Sequence, residues 1–205
     1  MAKSSKQWLR RHVTDPYVRK AKEQGYRSRA AFKLLEISQK EKLLKAGMTV
    51  VDLGAAPGGW SQVAAQQVKP GGRVLAIDLL EIAPIPGVTV LEGDFRDAQL
   101  LEALGADKAD AVLCDVAPNL SGIPLTDQAR QLELALAAVE FCGNALKAEG
   151  VLVMKAFHGG AFDELMSALK GAFSSVRVIK PTASRGESAE TYVVSRRLLA
   201  KGKSA

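Results

Sequence analysis

Cysteine and histidine are scarce in this 205-residue chain, with two of each. Cys114 and Cys142 both lie inside apolar stretches, so they read as buried thiols in a reducing compartment rather than as a disulfide framework. With only His12 and His158 beside them a zinc site lacks ligands, and no metal is expected. No apolar run approaches the roughly 18 residues that span a bilayer, and the opening MAKSSKQWLRRHV has no apolar signal-peptide core. Asp15 and Glu23 break up what would otherwise resemble an organelle transit peptide. These absences point to a cytoplasmic protein with no membrane contact. Internal repeats and low-complexity linkers are lacking too, so the reading is a single domain over residues 1–205 with a short basic tail at about 198–205.

Positive charge is present but unevenly placed. Residues 1–45 hold 13 Lys/Arg against 4 Asp/Glu, whereas the remainder holds 15 against 18. A cationic end on a near-neutral body is the footprint of a polyanion-binding face, and equally of a solubilising arm; charge alone leaves both open. Trp8, Tyr17 and Tyr26 interleave with these cations, a mixture suited to phosphates and unstacked bases. Within it, YRSRAAFKLLEISQKEKLL reads as a helix with Ser28 as N-cap. Arg29, Lys33 and Lys40 cluster on its polar side, where Glu36, water or a phosphate would relieve their repulsion.

From Thr49 onward β-branched runs alternate with helical patterns: TVVDLG, GRVLAIDL, GVTVLEGD, DAVLCDVAP, GVLVMKAF, SVRVIKP and ETYVVSRRL are separated by segments such as WSQVAAQQV, DQARQLELALAAVEFCGNAL and FDELMSALKGAF. This rhythm predicts a parallel α/β sheet, and the nearly continuous apolar strands predict helices on both faces. Ligands of such sheets lie beyond the carboxyl ends of the strands, where Asp52, Asp78, Asp94, Asp115 and Lys155 fall.

The turn after the first strand, Gly54-Ala55-Ala56-Pro57-Gly58-Gly59, brings backbone close to a ligand but lacks the G-x-G-x-x-G spacing, and no G-x-x-x-x-G-K-[ST] occurs. NAD and ATP therefore lose support. Asp78 is placed to accept from ribose hydroxyls and Asp94 from an adenine amino group. An adenosine without phosphates fits, and S-adenosyl-L-methionine, whose sulfonium suits surrounding carboxylates, is such a ligand.

The segments SRAAFKL, DLGAAPGGWSQ, AIDLL, GDFRD, DVAPNLSG, MKAF and SRGESAETYVV resemble, in order and over nearly the whole chain, the FtsJ/RrmJ-type ribosomal RNA large-subunit 2′-O-methyltransferases. The resemblance implies a Rossmann-like class I S-adenosylmethionine-dependent methyltransferase with a mostly parallel seven-stranded sheet. It implies a catalytic quartet of Lys33, Asp115, Lys155 and Glu190, and a cofactor site lined by Gly54, Gly58, Trp60, Asp78, Asp94 and Asp115. In KAFHGG, His158 stands where the family pattern has glutamine, which bears on local loop contacts only. Lys155 would be a general base if neutral, or would hydrogen-bond the developing alkoxide if charged. Asp115 would orient it, Lys33 would depress its pKa, and Glu190 would position the pair or the ribose.

Competing chemistries find little here. Cys114 lacks the proline that precedes the nucleophile of cytosine C5-methylases, and DVAPNL lacks the second proline and aromatic of amino-methylases. The basic segment at about 1–45, with Arg10, Arg11, Arg27, Arg29 and Lys33, is the expected RNA-binding part. The resemblance implies a uridine ribose in the A-loop of 23S rRNA within the assembled 50S particle, and a monomeric enzyme is expected. A 2′-O-methyltransferase of tRNA or of an mRNA cap, and a noncatalytic RNA-binding assembly factor, are the alternatives.

Overall fold

The computed structural model describes residues 15–102, 104–105, 107–118, 121–184 and 188–200. Each β-branched run becomes a strand: β1 Thr49–Leu53, β2 Arg73–Asp78, β3 Val88–Glu92, β4 Ala109–Cys114, β5 Leu146–Phe157, β6 Phe173–Ile179 and β7 Glu190–Leu198. Among the described residues six helices accompany them: α1 Pro16–Glu23, α2 Ala31–Glu41, α3 Gly59–Gln67, α4 Ala98–Glu102, α5 Pro124–Ala145 and α6 Phe162–Ala172.

The strands form one sheet in the order β3-β2-β1-β4-β5-β7-β6. Pairings from β3 through β5 are parallel, and β7 runs antiparallel to both β5 and β6. Side chains alternate across a strand, so Val51 and Leu53 join one core with α5 and α6 residues such as Phe141 and Leu165. Val50 joins the opposite core with Leu34 and Ile37 of α2 and Val63 of α3. Both faces are buried, which is why the strands read as unbroken apolar runs. Cys114 and Cys142 belong to the α5–α6 core, and burial pushes the Cys114 thiol up to about 12.

The chain leaves β1 toward β2 on one side and β4 lies on the other, so the sheet's switch point is at the carboxyl ends of β1 and β4. There Gly54 adopts φ +69°, and a Cβ on it would stand 2.8 Å from the Val116 Cα. The turns after β1 and β4 touch backbone to backbone, a contact that only glycine permits.

Two local expectations are corrected. The helix expected from Tyr26 starts at Ala31, and Ser28 does not cap it: the N-cap is Ala30, with no side-chain hydrogen bond. The first turn is closed by backbone instead, with Ala31, Phe32 and Lys33 N–H donating to the carbonyls of Ser28, Arg29 and Ala30. Ser28 Oγ packs against Gly59, where a Cβ would lie 2.3 Å from it. Helix α1 went unread inside the basic segment, although Asp15-Pro16 is a start signal: the Asp15 carboxylate accepts from Tyr17 N at 3.0 Å and Pro16 opens the helix.

Candidate active site

A cavity of about 580 Å³ opens at the switch point, lined by Gly54, Asp78, Gly93, Asp94 and Asp115 among others. Asp78 closes β2 and accepts from Ala56 N at 2.8 Å and Leu80 N at 2.9 Å, so it braces the glycine turn while lining the cavity. Asp94, just past β3, is gripped by Arg96, whose Nε lies 2.9 and 3.0 Å from the two carboxylate oxygens. Hydrogen bonds from Arg96 outweigh burial and hold the Asp94 carboxyl below its ordinary range. Asp78, Asp94, Asp115 and Glu133 line the cavity against Arg96 and Arg130, a surplus of carboxylates that fits a cationic, drug-sized ligand.

Gly58 and Trp60 are not among the residues whose side chains or backbone line this cavity. Trp60 is 3% exposed within the α2–α3 core and donates from Nε1 to the Ala30 carbonyl at 2.8 Å. Gly58, at φ +106°, is packed under Arg27 and Ile85. They shape the turn from behind. Asp52 is equally hidden: on the same strand face as Val50, it is fully buried and accepts from Ser61 Oγ at 2.6 Å.

The four expected catalytic residues arrive from α2, the end of β4, β5 and β7, and form two ion pairs. Lys33 Nζ lies 2.5 Å from Glu190 Oε1. Lys155 Nζ lies 3.2 Å from Asp115 Oδ1 and donates to the Asp115 carbonyl at 2.7 Å. Lys155 is also within range to stabilise the Glu190 carboxylate: burial raises that pKa, but Lys33, then Lys155 and Ser184, bring it below the ordinary value.

Between the pairs stands Tyr192, which the sequence reading missed. Its hydroxyl donates to Asp115 Oδ1 at 3.0 Å, and Lys33 Nζ sits 5.6 Å over its ring. It is fully buried and is the cross-strand partner of Lys155. Burial, then the charges of Asp115 and Glu190, drive its pKa far up, so it remains a neutral donor. The signal was the i, i+2 spacing from Glu190, which places both on one face of β7.

The cations expected to meet RNA have various fates. Arg27 donates to the carbonyls of Pro57, Ala83 and Pro84 at 3.2, 2.6 and 2.8 Å, tying the glycine turn to the loop after β2. Arg29 pairs with Asp15 and donates to the Ala183 carbonyl. Lys40 pairs with Glu36 at 2.7 Å. Arg10 and Arg11 lie outside the described residues.

A sheet of this order with an acid-lined cavity at its switch point defines a Rossmann-like methyltransferase of the kind that uses S-adenosylmethionine. The profile of the FtsJ-like methyltransferases matches residues 26–198, and the chain belongs to that family. It is 52% identical over 196 residues to "Ribosomal RNA large subunit methyltransferase E" of Nitrosospira multiformis, covering 94% of this chain and 95% of the relative. The protein of the same name from Dechloromonas aromatica is 48% identical over 200 residues, covering 96% and 98%. Among solved structures, a candidate ribosomal RNA methyltransferase from Plasmodium falciparum superposes with TM-score 0.76 at 30% identity, covering 86% of this chain and all of that one. Aeropyrum pernix fibrillarin with bound S-adenosyl-L-methionine shares the fold at TM-score 0.60 and 18% identity, over 83% of this chain and 75% of the other. Among the described residues no helix is long and apolar enough to cross a membrane.

Proposed function

We propose that this protein methylates the 2′-hydroxyl of a ribose in large-subunit ribosomal RNA, at a uridine of the A-loop in the assembled 50S particle. The observation that carries this is Lys155, paired with the Asp115 that lines the cavity and close enough to Glu190 of the Lys33–Glu190 pair to stabilise its carboxylate. The relatives' names supply the RNA. In this reading a single-domain, monomeric enzyme acts in the cytoplasm without a metal.

S-adenosylmethionine, when bound, supplies an electrophilic methyl on sulfur. Asp78 and Asp94 would hold its adenosine part, and Asp115 lines the same cavity while holding Lys155. Lys155 would act as the general base that takes the proton of the ribose hydroxyl. Glu190, already braced by Ser184 Oγ at 3.1 Å, fixes Lys33 beside the ribose. Tyr192 holds Asp115 from behind. Tyr192→Phe is therefore expected to lower methyl transfer about tenfold and stability by about 1 kcal/mol, read by initial rates and by thermal unfolding.

Unmodified large subunits incubated with labelled S-adenosylmethionine should acquire one alkali-resistant linkage, because a 2′-O-methyl blocks cleavage. Label in a base, or in tRNA alone, would overturn the reading. With Arg27, Arg29 and Lys33 engaged inside the protein, RNA contact passes to Arg10 and Arg11 and to exposed α1 cations such as Arg19. Binding should fall steeply with salt, and Arg19→Ala should reduce the log–log slope by about one. A slope unchanged by that substitution excludes α1 from the phosphate contacts.

A further inference from the structure

A second cavity, of about 430 Å³, shares Ala117 and Pro118 with the first as lining and has Lys155 in its wall. The rest of its wall is largely apolar, including Ala135, Ala156 and Leu165. Its one carboxylate, Asp127, is already used, accepting from Ser121 N and Oγ at 2.7 Å each and from Gly122 N at 3.1 Å. A phosphate would find only Lys155, and Lys155 is paired with Asp115. The lining suits an uncharged, flat molecule instead.

Two features of the wall are shaped for such a guest. His158 and Phe162 pack as an aromatic pair, ring centroids 4.5 Å apart and tilted by 36°, and both line the cavity. Gln128 lies against the turn at Gly159 and Gly160, and among the described residues its amide has no hydrogen-bond partner. An amide carries donors and an acceptor side by side and so matches the edge of a nucleobase. Bases taken out of a stack are held by aromatic faces and edge hydrogen bonds of this kind.

We propose that this cavity receives the heterocyclic base of the nucleotide whose ribose is methylated, stacked on His158 and Phe162 with its edge bonded by Gln128. The proposal rests on the ribose-methylation reading and adds to it: the volume holds one nucleoside, so the target nucleotide must leave its stack to reach Lys155.

The test uses His158→Ala and His158→Phe with unmethylated large subunits. His158 is exposed, so neither change disturbs the core. His158→Ala should raise KM for the subunits about tenfold, the size of one lost base–aromatic stack. The kcat and the affinity for S-adenosylmethionine should stay within about threefold of wild type, and His158→Phe should recover most of the loss. On subunits carrying an abasic ribose at the mapped position, wild type and His158→Ala should be equally slow. A wild-type protein that methylates no ribose overturns the functional reading itself. A wild type that does so, joined by a His158→Ala variant that matches it on normal subunits or keeps its tenfold defect on abasic ones, overturns the base assignment alone.

Discussion

Lys155→Arg and Lys155→Ala are both expected to lose methyl transfer by about 10²–10⁴-fold, the range general-base catalysis supplies. Affinity for S-adenosylmethionine should remain within about threefold in each, since Asp78 and Asp94 are the proposed cofactor contacts. The arginine variant decides between the two roles open to this residue. A guanidinium keeps the positive charge and hydrogen-bond donors but cannot give up its proton in a protein. If Lys155 removes the ribose proton, arginine is as poor as alanine. If it only steadies an alkoxide as a cation, arginine retains part of the rate, and the base role falls. The structure gives the amine two acceptors on one residue, Asp115 Oδ1 at 3.2 Å and the Asp115 carbonyl at 2.7 Å. Single-turnover rates with excess enzyme, compared with calorimetric affinity, separate chemistry from binding.

The central strands β1, β2, β4 and β5 were legible because they are apolar runs buried on both faces, and the strand-end acids because ligands of such sheets lie beyond the carboxyl ends of the strands. The four catalytic candidates were reached by resemblance alone: nothing in the local pattern of MKAF or AETYVV distinguishes Lys155 or Glu190 from ordinary edge residues. Spacing shows Glu36 as the partner of Lys40, but it could not show the partners of Lys33 on α2 or of Arg29 just ahead of it. Arg29, Lys33 and Lys40 look like one basic face, yet they meet Ala183 and Asp15, Glu190, and Glu36 respectively. Two of those contacts cross some 150 residues of chain, a distance that helix periodicity cannot see. Glu36 completes the attachment by accepting from Thr182 N at 2.8 Å and Oγ1 at 2.6 Å. Burial works against that carboxylate, but Lys40 and Thr182 prevail and bring its pKa to about 2. Helix α2 is thus fastened to the segment leading into β7, and that fastening is what delivers Lys33 to Glu190. Arg29 and Lys33 thus join α2 and the residue ahead of it to Asp15, Ala183 and Glu190.

Stability should fall as pH rises from about 4 to about 7 through Asp52, and an Asp52→Asn variant should lack this component. Burial is the main cause: the side chain is fully enclosed, Ser61 alone favours its charge, and the nearby carboxylates Asp115 and Asp78 oppose it, so its pKa climbs from 3.8 to about 7. The folded state then binds the proton more tightly than the unfolded chain, so the stabilisation is complete below the unfolded value and disappears as pH passes the folded one. A rise of that size corresponds to on the order of 4 kcal/mol between the two limits. Subtracting the unfolding free energies of the variant from those of wild type at each pH cancels the other titrating groups. The difference should move by about that amount in favour of asparagine between pH 4 and pH 8, on top of a pH-independent loss of about 1–3 kcal/mol in the variant for the amide's unpaired donors. S-adenosylmethionine offers a second check with an independent sign. A cation in the cavity counters the charges of Asp115 and Asp78 that help hold the proton on Asp52, so saturating cofactor should carry the inflection to lower pH. Curves for wild type and variant that run parallel from pH 4 to pH 8 would mean that Asp52 is ionised throughout and that β1 carries a full buried charge.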